Sequence, residues 1–77
     1  PRAFRAGAVV SAWSSDRYAR GAYTHARIGA VGARKVLSQP LAGGRLLFAG
    51  EANHPTLAGT VGGAWLSGEA AARRALA

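Results

Sequence analysis

The stretch that decides the fold reads Arg45-Leu-Leu-Phe-Ala-Gly-Glu51 and, after a short loop, Thr60-Val-Gly-Gly-Ala-Trp-Leu-Ser-Gly68. The first part is a continuous apolar run bounded by glycine, which is typical of a strand buried on both faces of a helix-covered parallel sheet. The second part opens on threonine, a favoured N-cap residue, and its apolar residues then recur at spacings of three and four. The sequence therefore predicts a strand over 45–50, a helix from Thr60 to about Leu76, and an α/β fold.

The length of the chain indicates that this fold is incomplete. The chain has 77 residues, eleven of them glycine, and begins at Pro1. A domain of this size buries only about 60% of the surface that its unfolded chain exposes. A buried parallel strand also needs neighbouring strands, and a shorter apolar run over 6–13 is the main further candidate. We therefore expect residues 1–77 to be a single incomplete segment of a larger fold, or a chain completed by a partner.

Composition narrows the classes of function. The chain has no cysteine, which excludes disulfides, thiolate nucleophiles and cysteine-ligated zinc. Ten Lys and Arg against three Asp and Glu give a formal charge of +7, which suggests an anionic partner and keeps a small basic nucleic-acid-binding module as an alternative. The cations are scattered, however, and no apolar stretch is long enough to span a membrane. The excess of Arg over Lys, with abundant Ala and Gly, indicates a GC-rich bacterial gene and a cytoplasmic protein.

Candidate ligand-binding groups lie where the predicted strand ends and the helix begins. Ligands of open α/β sheets bind at the carboxyl ends of the strands, where Glu51 and Thr60 lie. The free N–H groups of residues 61–63 would face an oxygen of a ligand, with the helix dipole behind them. Glycine costs about 1 kcal/mol relative to alanine in a helix, so the glycines of this helix predict a close approach to its backbone. A plain N-cap, tight packing and pairing of Glu51 with Arg45 remain the alternatives.

Aromatic and histidine residues give weaker signals. Trp13, Tyr18 and Tyr23 recur at spacings of five, and ordinary packing is the simplest explanation of such residues. His54 stands beside a proline in a loop, where we expect it to be exposed. His25 has no carboxylate or cysteine nearby in sequence, so the two histidines predict neither a metal site nor a catalytic triad.

Three blocks of this sequence resemble the carboxyl-terminal segment of the flavin-containing amine oxidoreductases, which include monoamine oxidases, polyamine oxidases, lysine-specific histone demethylases and L-amino acid oxidases. The blocks are Trp13 to Tyr23 (WSSDRYARGAY), Arg45 to Ala52 (RLLFAGEA) and Gly59 to Gly68 (GTVGGAWLSG). Their order and spacing agree with the family from about Val9 onward. The resemblance implies a carboxyl-terminal fragment of a Rossmann-like FAD-binding domain, composed of a buried strand, a loop and a long terminal helix. Residues 6–27 would end the substrate domain, and residues 45–77 would form the strand, loop and helix of the FAD-binding domain.

The resemblance also implies roles for single residues. Gly50 and Glu51 would lie beside the ribityl and pyrophosphate groups of FAD, and the helix start would point N–H groups at flavin N1 and the C2 carbonyl. A helix N-terminus would thereby stabilise negative charge on reduced flavin. An aromatic cage suits the substrate amine because π faces attract cations. The implied cofactor-binding residues are Glu51, Thr60, Val61, Trp13, Tyr18 and Gly50, and the implied substrate residue is Tyr23; no catalytic residue or metal ligand is expected in this segment.

Departures from the family refine this expectation. Ala22 stands where covalently flavinylated monoamine oxidases have cysteine, so FAD should be noncovalent. Thr60 replaces the second cage aromatic of monoamine oxidases, as in the polyamine oxidase and histone demethylase branch. Gly62 stands where that branch often has histidine, so this chain presents no side chain at that position.

The implied reaction belongs to the full-length enzyme. An amine would be oxidised to an imine by hydride transfer to flavin, and oxygen would reoxidise the flavin to give hydrogen peroxide. The dinucleotide motif Gly-x-Gly-x-x-Gly and the lysine near flavin N5 are absent from this sequence, so the 77-residue chain alone should be inactive. An L-amino acid oxidase of the same fold is the alternative within the family. The expected partners are a small-molecule amine and the rest of the enzyme chain, without nucleic acid or membrane.

Overall fold

The computed structural model describes residues 6–77, and these contain two α-helices and two short 3₁₀ turns. Helix α1 is Ala33–Leu37 and helix α2 is Val61–Leu76; the 3₁₀ turns are Ala42–Gly44 and Glu51–Asn53. Neither helix is both long and apolar enough to cross a lipid bilayer. Arg2 and Arg5, which are among the scattered cations, lie outside the described residues.

Helix α2 confirms the predicted terminal helix. Thr60 is its N-cap in an extended conformation, and its hydroxyl oxygen accepts a hydrogen bond from the Gly63 N–H at 2.9 Å. Glu69 precedes Arg73 by four residues, which is the favourable order for such a pair. Glu69 Oε2 lies 3.7 Å from Arg73 Nη2. Arg73 and Arg74 occupy the last turn, where cations complement the helix dipole. Local signals in the sequence were therefore sufficient to define this helix.

The predicted strand over 45–50 does not form, and residues 6–77 contain no strand. The first 3₁₀ turn folds the chain back so that Leu41 and Leu46 make one isolated antiparallel bridge. Their backbone groups exchange hydrogen bonds of 2.9 and 3.1 Å. The predicted burial is also absent, because Leu46 is 47% exposed and Phe48 is 43% exposed. The physical reason is that a strand requires neighbours for its backbone groups, and the described segments do not provide them.

The second 3₁₀ turn holds the two helices together. On the side of α1, the side-chain amide of Asn53 donates to the backbone carbonyl of Leu37, and the Ser38 hydroxyl donates to the backbone carbonyl of Asn53. On the other side, the Ser67 hydroxyl lies 2.8 Å from both the N–H and the carbonyl oxygen of Gly50. Polar contacts therefore position the loop between the helices.

The apolar side of α2 has no packing partner among the described residues. Val61, Trp65 and Leu76 belong to the apolar residues spaced by three and four in this helix, and they are 85%, 69% and 88% exposed. The side of the helix that meets the second 3₁₀ turn is formed instead by small, half-buried residues such as Ser67 and Ala71. No hydrophobic side chain within residues 6–77 is buried.

Candidate functional site

Glu51 joins two segments that are distant in the sequence. Its Oε1 accepts a 2.8 Å hydrogen bond from the Thr24 N–H, and its Oε2 accepts one of 2.7 Å from the Thr24 hydroxyl. Oε2 also accepts the N–H of Gly59 at 2.7 Å. The half-buried carboxylate therefore ties the loop around Thr24 to the turn that precedes α2.

Arg34 extends this network from helix α1. Its Nη1 donates to the Thr24 hydroxyl at 3.0 Å, so the hydrogen bonds run from Arg34 through Thr24 to Glu51. The ion pair considered from the sequence, between Glu51 and Arg45, is absent among the described residues. Arg45 was suggested because it is near Glu51 in the sequence, whereas in the structure the cation of this network is Arg34 of α1.

These hydrogen bonds lower the pKa of Glu51 below its ordinary value of 4.5. The Thr24 hydroxyl has the largest effect, followed by the Gly59 N–H, while partial burial acts in the opposite direction. The Thr24 N–H and the charge of Arg34 lower the pKa further. Each donor stabilises the ionised carboxylate, so Glu51 is an anion at neutral pH.

The lowered pKa predicts a dependence of stability on pH. Because the folded pKa lies below 4.5, the stabilisation from ionised Glu51 is complete above that pH and is lost as the pH falls through the folded value. In the full-length protein, the Tm difference between the wild type and Glu51→Gln should be constant near neutrality and should shrink below pH 4.5. Thermal melts across this range measure it. Glu69→Gln on the surface of α2 is the control, and a Glu51→Gln difference that persists unchanged in acid would contradict the assignment.

The start of α2 presents unpaired backbone donors. Within residues 6–77, the N–H groups of Val61 and Gly62 have no acceptor, while the N–H of Gly63 is bound by Thr60. Val61 is 85% exposed, so the positive end of the helix dipole is accessible. Among the glycines of this helix, Gly63 is approached closely by the chain itself, since an added Cβ there would lie 2.0 Å from the carbonyl oxygen of Leu57.

Tyr23 lies against this helix start. A Cβ added to Gly59 would lie 3.7 Å from Cδ2 of the Tyr23 ring, and Gly59 adopts a φ of 73° that favours glycine. A cavity of about 230 Å³ adjoins it, with Tyr23, Thr24 and Glu51 among its lining residues. The structure thus brings together Tyr23, Glu51 and the turn before α2.

Trp13 and Tyr18 lie in the preceding loop and do not themselves line this cavity, although Ala19, Arg20 and Gly21 of the same loop do. The Gly21 N–H donates to the Trp13 carbonyl at 3.1 Å and closes the loop. Asp16 Oδ1 accepts the N–H of Tyr18 at 2.8 Å inside it. The Arg17 guanidinium lies 4.7 Å from the centre of the Tyr18 ring and contacts its hydroxyl. Trp13 is 56% exposed and Tyr18 is 83% exposed, so each ring is accessible apart from the face of Tyr18 that lies under Arg17.

Sequence reasoning missed Thr24, Arg34 and the structural role of Ser67. Their partners lie 27, 10 and 17 residues away, so no local pattern reveals them. His54 was expected to be exposed but is half-buried, and its Nδ1 accepts the N–H groups of the turn that follows it. Within the described residues, no cluster of three or more His, Cys, Asp or Glu could hold a metal ion.

A larger cavity of about 410 Å³ is lined by residues of α1, of α2 and of the segment between them. Its lining includes the apolar Leu47 and Phe48 and the basic Arg34, Lys35 and Arg74. None of the predicted site residues lines it. It is therefore distinct from the region of Tyr23 and Glu51.

Comparisons with known proteins agree on one family. A family model described as flavin containing amine oxidoreductase matches residues 3–76. The chain is 45% identical over 73 residues to the human peroxisomal N(1)-acetyl-spermine/spermidine oxidase, covering 86% of this chain and 14% of that protein. It is 38% identical over 61 residues to lysine-specific histone demethylase 1 homolog 3 of rice, covering 78% of this chain and 8% of that protein. A histone demethylase-like protein A of Aspergillus fumigatus is 42% identical over 65 residues, covering 83% of this chain and 6% of that protein. No solved structure gives a significant match.

These relatives correct one prediction and confirm another. They come from human, a plant and a fungus, which points away from a bacterial source, so the prediction of a bacterial cytoplasmic protein from residue composition is wrong. The chain spans about one seventh or less of the length of each of these relatives. The family match, in contrast, extends over nearly every residue of the chain. The chain therefore belongs to the flavin-containing amine oxidoreductases, an FAD-binding family of oxidoreductases, as its three sequence blocks predicted.

Proposed function

We propose that this chain is the segment of an FAD-dependent amine oxidase that contacts the flavin and lines the amine site. The rest of the protein would complete an α/β Rossmann-like domain around it by supplying neighbours to the 45–50 segment. FAD held by these residues would supply the redox chemistry: the amine would lose a hydride from the carbon next to its nitrogen and become an imine that water hydrolyses, and oxygen would reoxidise the reduced flavin with release of hydrogen peroxide. The residues of this chain supply placement and electrostatics.

The start of α2 fits the anionic edge of a flavin. The N–H groups of Val61 and Gly62 have no acceptor among residues 6–77 and lie at the positive end of a 16-residue helix. Such donors stabilise negative charge at a nearby oxygen or nitrogen. Thr60 would act through its hydroxyl, which fixes the first turn so that these two N–H groups stay directed outward.

Glu51 and Gly50 fit a polar part of the cofactor. The two oxygens of a carboxylate offer about four acceptor sites, and three donors from Thr24 and Gly59 use three of them. One site of Glu51 is left for a hydroxyl of the ribityl chain. Gly50 adopts a φ of 149°, and hydrogen bonds to the Ser67 hydroxyl hold its backbone.

The exposed aromatics fit a wall beside the flavin ring. Trp13 and Tyr18 present accessible faces at the surface of a loop held by its own hydrogen bonds. Ala22 lines the smaller cavity next to Tyr23 and offers no thiol for a bond to the flavin. We therefore propose that this segment holds FAD noncovalently.

The position of Tyr23 is the observation that best supports this function. Its ring lies 3.7 Å from the position that a Cβ on Gly59 would occupy, close to the helix start that would hold the flavin, and it borders a cavity that also reaches Glu51. A π face at this position can receive a substrate ammonium group. The proposed substrate is therefore an amine that reaches the flavin past Tyr23.

Replacing Tyr23 by alanine in the full-length enzyme should impair amine oxidation without releasing FAD. A cation–π contact contributes about 0.5–2 kcal/mol, so KM should rise or kcat should fall by roughly two- to thirtyfold. Tyr23→Phe keeps the aromatic face and should stay near the wild type. Steady-state kinetics, with bound flavin measured by its visible absorbance, gives both values. Unchanged kinetics in Tyr23→Ala would rule out the proposed role.

Anaerobic mixing of the full-length protein with amines tests the reaction itself. Bleaching of the flavin by an amine, followed by peroxide formation when oxygen is admitted, is the expected result. An N-acetylated polyamine and a methylated lysine peptide are suitable probes, because the relatives include proteins named for each of these substrate classes. A protein that contains no flavin, or whose flavin no amine reduces, would contradict the proposal.

A further inference from the structure

We propose that Thr24 is a positioning residue that fixes Tyr23 against the start of α2 through Glu51. This inference rests on the proposed function, since it assigns to Thr24 the orientation of the wall of the amine site. Thr24 would touch neither the flavin nor the amine. It would act through its hydrogen-bond partners, Glu51 and Arg34.

The hydrogen bonds of Thr24 support this role. Both its N–H and its hydroxyl donate to the Glu51 carboxylate, at 2.8 and 2.7 Å. The hydroxyl oxygen also accepts from Arg34 at 3.0 Å. The backbone immediately after Tyr23 is therefore held to two separate elements, namely the second 3₁₀ turn and helix α1.

Tyr23 needs such support because its own packing is sparse. The side chain is 73% exposed, and the nearby backbone at Gly59 approaches the ring only so far that an added Cβ would lie 3.7 Å from it. Gly59 in turn donates to the same Glu51 oxygen that accepts the Thr24 hydroxyl. Glu51 therefore ties the backbone next to Tyr23 to the backbone of Gly59, which lies near the ring.

A small displacement of this ring should matter for the reaction. The rate of an enzyme depends steeply on the orientation of bound groups, and a shift of about 1 Å can cost up to a hundredfold. Thr24→Val keeps the shape of the side chain but removes both hydroxyl hydrogen bonds. It leaves Arg34 without its Thr24 acceptor and Glu51 without one of its three donors.

The test compares Thr24→Val and Thr24→Ser in the full-length enzyme. Thr24→Val should lower kcat/KM for the amine by about tenfold, and by no more than Tyr23→Ala does, while the FAD content stays at the wild-type level. Thr24→Ser keeps the hydroxyl and should restore most of the activity. Equal losses in both variants, or a loss that follows the loss of FAD, would overturn the inference.

A double-mutant cycle distinguishes an effect through Tyr23 from any other route. If Thr24 acts through the ring, Thr24→Val should have little further effect on kcat/KM in a Tyr23→Ala background. Fully additive effects on kcat/KM would show that Thr24 acts elsewhere and would overturn the inference.

Hydrogen exchange of the same variants gives a readout independent of activity. In Thr24→Val, the amides of residues 24 and 59, which both donate to Glu51, should exchange about tenfold faster than in the wild type or in Thr24→Ser. Unchanged exchange would contradict the positioning role. A wild-type enzyme that oxidises no amine would contradict the proposed function instead, and the exchange data would still decide whether Thr24 fixes this region.

Discussion

Replacing Gly63 by alanine is expected to prevent the full-length protein from forming a stable, FAD-containing enzyme. A Cβ at Gly63 would lie 2.0 Å from the carbonyl oxygen of Leu57 and 2.8 Å from its carbon. These are backbone atoms, so no side chain can rotate away. The Gly63 N–H is also held by Thr60 at 2.9 Å, so the helix start cannot shift without losing its cap. Overpacking typically costs about 1–3 kcal/mol and a lost cap about 1 kcal/mol.

Thermal melts and the flavin retained after gel filtration measure this effect. Gly68→Ala is the matched control, because it lies in the same helix and a Cβ there meets nothing within 4 Å in this chain. Helix propensity alone favours that alanine by about 1 kcal/mol. Gly68→Ala should therefore keep its flavin, whereas Gly63→Ala should lose it. A Gly63→Ala protein with the flavin content and Tm of the wild type would show that the start of α2 is not fixed against Leu57.

The sequence predicted α2 well because the determinants of this helix are local. Its N-cap hydroxyl lies three residues from the N–H that it binds, and the Glu69–Arg73 pair spans one turn. Both features can be read from spacing alone.

The predicted strand failed because its determinants are not local. The apolar run over 45–50 satisfies the compositional rule for a buried strand, but a strand forms only if other segments accept and donate its hydrogen bonds. Within residues 6–77, the 45–50 segment has one bridge, between Leu41 and Leu46. The apolar run therefore indicates a strand that would form only if the rest of the protein supplied neighbouring strands.

The sequence selected candidate site residues but did not reveal how they are connected. Glu51 and Thr60 were selected by their place at the predicted strand end and helix start, and Tyr23 by resemblance to the family; the fold brings these residues to one region. The donors that hold Glu51 could not be read from the sequence, since Thr24 lies 27 residues away. A cation near in sequence, Arg45, was the natural suggestion, and only the fold identifies Arg34.

The isolated 77-residue chain is expected to show no cooperative unfolding transition. No hydrophobic side chain among residues 6–77 is buried. Burial of apolar surface, the main favourable contribution to the free energy of folding, is therefore nearly absent. The radius of gyration is 16.6 Å, compared with about 11.5 Å for a compact domain of this length. Circular dichroism during heating should show a shallow, noncooperative loss of helix signal, dominated by the 16 residues of α2.

The same melt separates the two classes of function that the composition leaves open. A basic nucleic-acid-binding module must fold alone and bind in a strongly salt-dependent manner, so it requires a sharp transition in the isolated chain. A segment of a flavoenzyme requires the opposite, because the exposed side chains of Trp13, Phe48 and Trp65 need the rest of the protein to cover them. The full-length enzyme, melted under the same conditions, is the positive control and should unfold cooperatively. A sharp transition in the 77-residue chain would contradict the view that its apolar surface is an interface within a larger domain.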